Sequence, residues 1–179
     1  SQPRGGTIPT GHRSHQTGLD VAIWFRRPPE GTLSPADRAT LLMTSVVRTG
    51  TPFLNARWSD VQARLLESAA RDDAVARIFV NPAVKADLCR ISPRTDRDWL
   101  GKIRPWWGHD AHFHVRLGCP EDAAACVAQE PPPPGDGCDS TLQWWFTAEG
   151  RRAPKADDEA TGPIELADLP PACAELVGQ

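Results

Sequence analysis

The stretch that most constrains this chain is His112-Phe113-His114-Val115-Arg116-Leu117, because its residue types alternate without a break. On a β-strand successive side chains point to opposite faces, so His112, His114 and Arg116 share one face while Phe113, Val115 and Leu117 share the other. Two imidazoles therefore look into the same space, and an apolar row is left to meet a core. All five histidines of the chain fall in two short segments: His12 and His15 near the start, and His109, His112 and His114 here. That clustering reads as a single site supplied from two distant parts of the sequence.

A catalytic metal such as zinc wants three protein ligands from His, Asp, Glu or Cys and an open position for water. An H-x-H on a strand supplies a ligand and a neighbouring acid or base, and the His12/His15 loop is the source of further ligands. The chain contains no H-E-x-x-H, so a glutamate base on a helix is not indicated. Nor do its five cysteines form the paired C-x-x-C knuckles of structural zinc sites. Their irregular spacing favours disulfides in an oxidising compartment, and the odd count leaves one without a partner inside this sequence. Reduced thiols in a cytosolic metallohydrolase are the competing reading.

With 179 residues the chain suits one domain with appendages. A formal net charge of −3 gives no support for nucleic-acid binding. No run reaches the roughly 18 apolar residues of a membrane span. Ser1 to Gly6 lacks the apolar core of a signal peptide, so an exported form is expected to have lost its targeting segment already.

Taken in order, residues 1 to 11 read as a loop and Leu19 to Phe25 as a strand with Asp20, Ala22 and Trp24 on one face. Ser34-Pro35 predicts a helix start running through Arg38 to Arg48, and Ser59 caps a second helix whose stripe is Val61, Leu65, Leu66 and Ala69. Ala76 to Val80 is a buried strand, Ala83 to Cys89 a helix, and Asp96 to Ile103 a further short one. Cys119 to Cys138, with four consecutive prolines from Pro131, is a loop. Ser140 to Phe146 is a last helix or strand. The expected fold is α+β, a small central antiparallel sheet with flanking helices and long disulfide-tied loops. Its domain spans 1–149, and 150–179 forms an extended Pro-rich tail tied back through Cys173.

Longer motifs carry a resemblance. Ser14-His15-Gln16-Thr17-Gly18-Leu19-Asp20-Val21, Arg77-Ile78-Phe79-Val80-Asn81-Pro82-Ala83, Thr95-Asp96-Arg97-Asp98-Trp99-Leu100, Arg104-Pro105-Trp106 and His112 to Leu117 resemble the penicillin-insensitive murein endopeptidases, a family of LAS-type zinc metallopeptidases. The resemblance runs from about Gly11 to Cys173. It implies a periplasmic enzyme that uses Zn²⁺ to hydrolyse peptide cross-links of peptidoglycan, chiefly from D-alanine to meso-diaminopimelate. It also implies zinc ligands at His15 and His114, a catalytic histidine at His112, and further active-site histidines at His109 and His12. The implied disulfides are Cys89–Cys138 and Cys119–Cys126, with Cys173 pairing upstream of Ser1.

One position departs from that pattern. Where the family reads Leu-Asp-Val-Asp-Ile, with the second aspartate as third zinc ligand, this chain reads Leu19-Asp20-Val21-Ala22-Ile23. An Asp-to-Ala change made to inactivate the enzyme, a natural pseudoenzyme, or a substitute ligand from Asp20 or His12 would each account for it. Asp20 sits roughly 6 to 7 Å away along the strand, so the last account needs a backbone shift. Activity in this chain is expected to be strongly reduced and zinc affinity lowered, because the loss of an anionic ligand removes both a bond and a neutralising charge. A non-catalytic peptidoglycan-binding protein is the alternative from another class. Arg116 reads as a structural ion pair or a holder of a substrate carboxylate. Trp106, Trp107, Trp144 and Trp145 read as core or as a groove for glycan and peptide stems.

Overall fold

The alternation in residues 112–117 is realised as the second strand of a four-stranded sheet ordered β1-β4-β2-β3, comprising β1 (Asp20–Trp24), β2 (Val75–Val80), β3 (Ile103–Pro105) and β4 (His112–Leu117). The structure, a computed structural model, describes residues 18–124 and 126–153, of which Asp20–Ala153 forms one compact unit. His12, His15, Cys173 and the tail from residue 154 onward lie outside the described residues.

β4 pairs antiparallel with both β1 and β2, whereas β3 runs parallel to β2. The class is α+β as expected, but the sheet is mixed instead of purely antiparallel. The reason lies in the β2–β3 connection. It carries helix α3 (Pro82–Ile91) and a 3₁₀ turn (Asp98–Lys102), a crossover long enough to return the chain in the same direction.

The other helices among the described residues are α1 (Pro35–Thr40), α2 (Asp60–Arg71) and α4 (Ser140–Trp144). α1 starts at the Ser34 capping box but stops at Thr40 instead of running on to Arg48. Beyond it the β-branched Val46 is drawn into the core, its N–H donating to Asp110 O at 2.7 Å, while Val47 bridges Leu54. α2 begins at the predicted Ser59, yet its buried stripe is Gln62, Ala63, Leu66 and Ala70, and Val61 and Leu65 face solvent. The rotation follows from Gln62. Its carboxamide donates to Phe25 O and Arg57 O and accepts from Ser59 N, so a polar residue is satisfied inside.

Phe113 and Val115 of β4, Ile78 and Val80 of β2 and Ile103 of β3 pack with Leu66, Val84, Leu88 and Leu100 in one core. Each such side chain contributes about 1.5–3 kcal/mol on burial. Two disulfides hold the long loops, Cys89–Cys138 across 49 residues and Cys119–Cys126 across 7. The first brings the proline-rich loop onto α3. There the fully buried Lys85 ammonium donates to Leu100 O (2.6 Å) and Asp136 O (2.5 Å), and Arg97 pairs with the Asp136 carboxylate at 2.7 Å. One face of the sheet is thereby committed to packing, and the other is left for the histidines.

Candidate metal centre

On that second face the strand registers decide which groups meet. Trp24 lies opposite His112, Ala22 opposite His114 and Asp20 opposite Arg116, while Phe79 of β2 flanks His114 from the other side. Same-face partners across an antiparallel pair have Cβ atoms about 4.5–5.5 Å apart. A carboxylate at position 22 would therefore stand beside the His114 ring. The methyl group there is exposed.

His109 joins from the loop that precedes β4. It has a positive φ of 51°, a left-handed conformation that non-glycine residues adopt uncommonly. Asn81 over-determines it: the Asn81 backbone N–H donates to His109 O (3.0 Å) and its side-chain amide donates to Gly108 O (2.9 Å), while its Oδ1 caps α3. The His109 ring then donates from Nδ1 to Trp107 O at 2.7 Å. A carbonyl only accepts, so Nδ1 carries the proton and Nε2 keeps its lone pair. Burial lowers the pKa of His109, outweighing the Trp107 carbonyl, which raises it, so the ring is held neutral as a ligand or base must be.

The three rings converge, with centroids 4.7 Å apart for His109–His114, 4.9 Å for His112–His114 and 5.3 Å for His109–His112. Each offers a nitrogen within 4.8 Å of the others, an arrangement that could hold a metal ion. The Nε2 atoms of His112 and His114 are 3.0 Å apart. Two nitrogens bound tetrahedrally at about 2.0–2.1 Å from one ion lie about 3.3 Å apart, so only a small opening of the pair is required. Three imidazoles are also a donor set that first-row divalent ions favour.

Behind this cluster the Asp20 carboxylate is almost fully buried, its side chain 1% exposed. Its Oδ1 lies 3.3 Å from His114 Nδ1, and its Oδ2 lies 4.0 Å from Nη1 of Arg116, itself buried. In front stands an aromatic wall. Trp106, 46% exposed, contacts Phe79 (5.5 Å between centroids) and Trp107, and Trp107 packs at a tilt against Trp145 with centroids 4.6 Å apart. Trp107 is partly buried and donates from Nε1 to Gly150 O. A cavity of about 500 Å³ opens beside it, lined by Asn81, Gly108, Asp110 and Trp145 among others.

Of the residues singled out in the sequence, the structure brings His109, His112, His114 and Ala22 onto one face, with Trp106 and Trp107 beside them and Arg116 behind. His15 and His12 lie outside the described residues. Asn81 and the Trp107 carbonyl were not legible as site residues. The Asn81-Pro82 pair signalled only the end of a strand.

The family model described as penicillin-insensitive murein endopeptidase matches residues 1–178. The chain belongs to that family. Relatives bearing the same description from Salmonella paratyphi A, Salmonella typhi and Salmonella arizonae are each 43% identical over 177 residues. The alignment covers 99% of this chain and 62% of theirs, so the chain spans somewhat less than two thirds of the curated relatives' length. Of the converged histidines, His112 and His114 fall in a motif that carried the resemblance and His109 lies just before it, and the described disulfides are the two that it implied.

Proposed function

We propose that this chain is the catalytic portion of a zinc-dependent murein endopeptidase acting in the periplasm on D-alanyl-meso-diaminopimelyl cross-links, with activity strongly reduced by Ala22. The observation that carries the reading is the convergence of His109, His112 and His114 on the open face of the sheet in a chain of this family. His114, with His15 and a further imidazole from His12 in the N-terminal segment, would hold the ion. Bound zinc supplies Lewis acidity at the scissile carbonyl and lowers the pKa of a water towards about 7. His112, beside His114, is placed to stabilise negative charge developing on the carbonyl oxygen or to pass a proton to the leaving amine. His109, neutral with a free Nε2, can accept a proton at that atom. The exposed Trp106 offers a flat apolar surface beside the histidines for the substrate.

Ala22 also supports a second reading, a non-catalytic peptidoglycan-binding protein, because the position facing His114 has no donor atom. Zinc content after dialysis against a chelator, and digestion of purified cross-linked muropeptides, separate the readings when run on this chain and on Ala22→Asp. The expected result is tight retention of about one zinc only by Ala22→Asp, with a gain in cleavage of at least about 100-fold, the upper end of what outer-shell partners alone are worth. Equal cleavage by both chains removes the proposed role of position 22. Absence of metal from both, with intact binding to sacculi, establishes the binding protein instead.

A further inference from the structure

We infer that Asp20 is the positioning carboxylate of His114, favouring the tautomer that leaves its Nε2 without a proton, and that it is not a substitute ligand for the side chain missing at position 22. This rests on reading the histidine face as a metal site. Asp20 and Ala22 lie on the same face of β1, so sequence alone allows Asp20 to reach forward into the vacancy. The geometry places it elsewhere. Asp20 lies opposite Arg116, one same-face step beyond the residue that faces His114. Its Oδ1 meets His114 at Nδ1, 3.3 Å away, whereas the other nitrogen of that ring faces His112 at 3.0 Å.

The two nitrogens of an imidazole point away from each other, so the carboxylate and His112 lie on opposite sides of the His114 ring. An ionised carboxylate has only acceptors. At 3.3 Å the contact is an electrostatic approach and not a formed hydrogen bond; the negative carboxylate on that side favours the tautomer with the proton on Nδ1, and the Nε2 lone pair is then directed towards His112. A carboxylate behind a metal-binding histidine orients the ring and raises its basicity. The burial of Asp20 is offset by the Arg116 guanidinium near its second oxygen, which gives that buried arginine a structural task in the same arrangement.

The test has a readout that needs neither metal nor activity. Long-range ¹H–¹⁵N correlation spectra of the metal-free protein near pH 7.5 report which His114 nitrogen is protonated. The expected result is Nδ1–H in the parent chain, the same in Asp20→Asn, whose amide oxygen still accepts, and a mixture of tautomers in Asp20→Ala. Zinc affinity by chelator competition should fall roughly 10–100-fold in both variants, in the Ala22 and the Ala22→Asp backgrounds alike. Far-UV circular dichroism and melting confirm that the variants fold, and Asp20→Asn keeps the shape of the side chain. A parent His114 protonated on Nε2, an affinity unchanged in folded Asp20→Ala, or a zinc-loaded structure with an Asp20 oxygen about 2.0–2.2 Å from the ion overturns the inference. If no chain retains zinc, the metal-site reading fails, and the tautomer measurement still decides whether Asp20 governs His114.

Discussion

Folding this chain buries an amine that ought to be reluctant to stay charged. Lys85 has no exposed surface, and burial, reinforced by the nearby Arg104, lowers its pKa from the ordinary 10.5 to about 7. Each tenfold loss of proton affinity corresponds to 1.36 kcal/mol, so the full penalty of keeping the ammonium inside is roughly 5 kcal/mol. The two carbonyls that accept from it act in the opposite direction and make this an upper limit. Since the amine titrates near 10.5 when unfolded and near 7 when folded, the unfolded state binds more protons between those values. Stability must therefore rise with pH across that window. Below pH 7 the whole penalty is present; above about 10.5 both states are neutral and it has gone.

Because the folded group is half-protonated near pH 7, the gain between pH 7 and pH 9 is about 2 kcal/mol. Urea unfolding with the disulfides intact measures it. With slopes of about 1–3 kcal/mol/M, the midpoint moves by about 1 M. Lys85→Met keeps the length of the side chain and removes the titration. It leaves Leu100 O and Asp136 O without their donor, at about 1–3 kcal/mol each, but that loss does not change with pH. The parent should therefore gain on Lys85→Met as pH rises. Parallel stability curves for the two proteins between pH 7 and 9 would refute a depressed lysine.

The two disulfides should differ in value because they close loops of different length: replacing Cys89 and Cys138 by serine should cost about 4 kcal/mol in urea unfolding, and replacing Cys119 and Cys126 about 2.5 kcal/mol. Gly101→Ala places a methyl group 2.7 Å from the backbone oxygen of Gly135, which cannot turn aside, so calorimetry should show a destabilisation of about 1–3 kcal/mol. Asn81→Ala removes the α3 cap, worth about 1 kcal/mol, and also releases Gly108. Its zinc affinity in the Ala22→Asp background should fall by roughly tenfold, checked by chelator competition.

What could be read in the sequence was what depends on a local period. The alternation of His112 to Leu117 fixes its two faces, and the same period puts Asp20, Ala22 and Trp24 together, which is how the strands lie. What failed depends on partners distant in sequence. The α2 stripe is displaced by one position because Gln62 finds acceptors at Phe25 and Arg57, which no helical pattern encodes. β3 has only three residues and owes its parallel direction to a crossover. His109 precedes the alternating run, so the left-handed backbone that aims it at His114 comes from Asn81, 28 positions earlier.

The same division explains why position 22 can change without disturbing the fold. Its side chain is exposed on the ligand face, and the strand pairing of β1 with β4 uses only its backbone. In Ala22→Asp without metal, a second carboxylate stands on the same strand face as Asp20, roughly 6 to 7 Å away, and the like charges repel. With metal, that charge is neutralised and the site binds only when folded. Stability of Ala22→Asp should then rise with zinc as RT ln(1 + [Zn]/Kd), about 2.7 kcal/mol at one hundred times Kd, while the parent chain at the same zinc concentration gains much less. Melting curves across a zinc titration measure the difference. Equal gains for the two proteins would mean that position 22 takes no part in holding the ion.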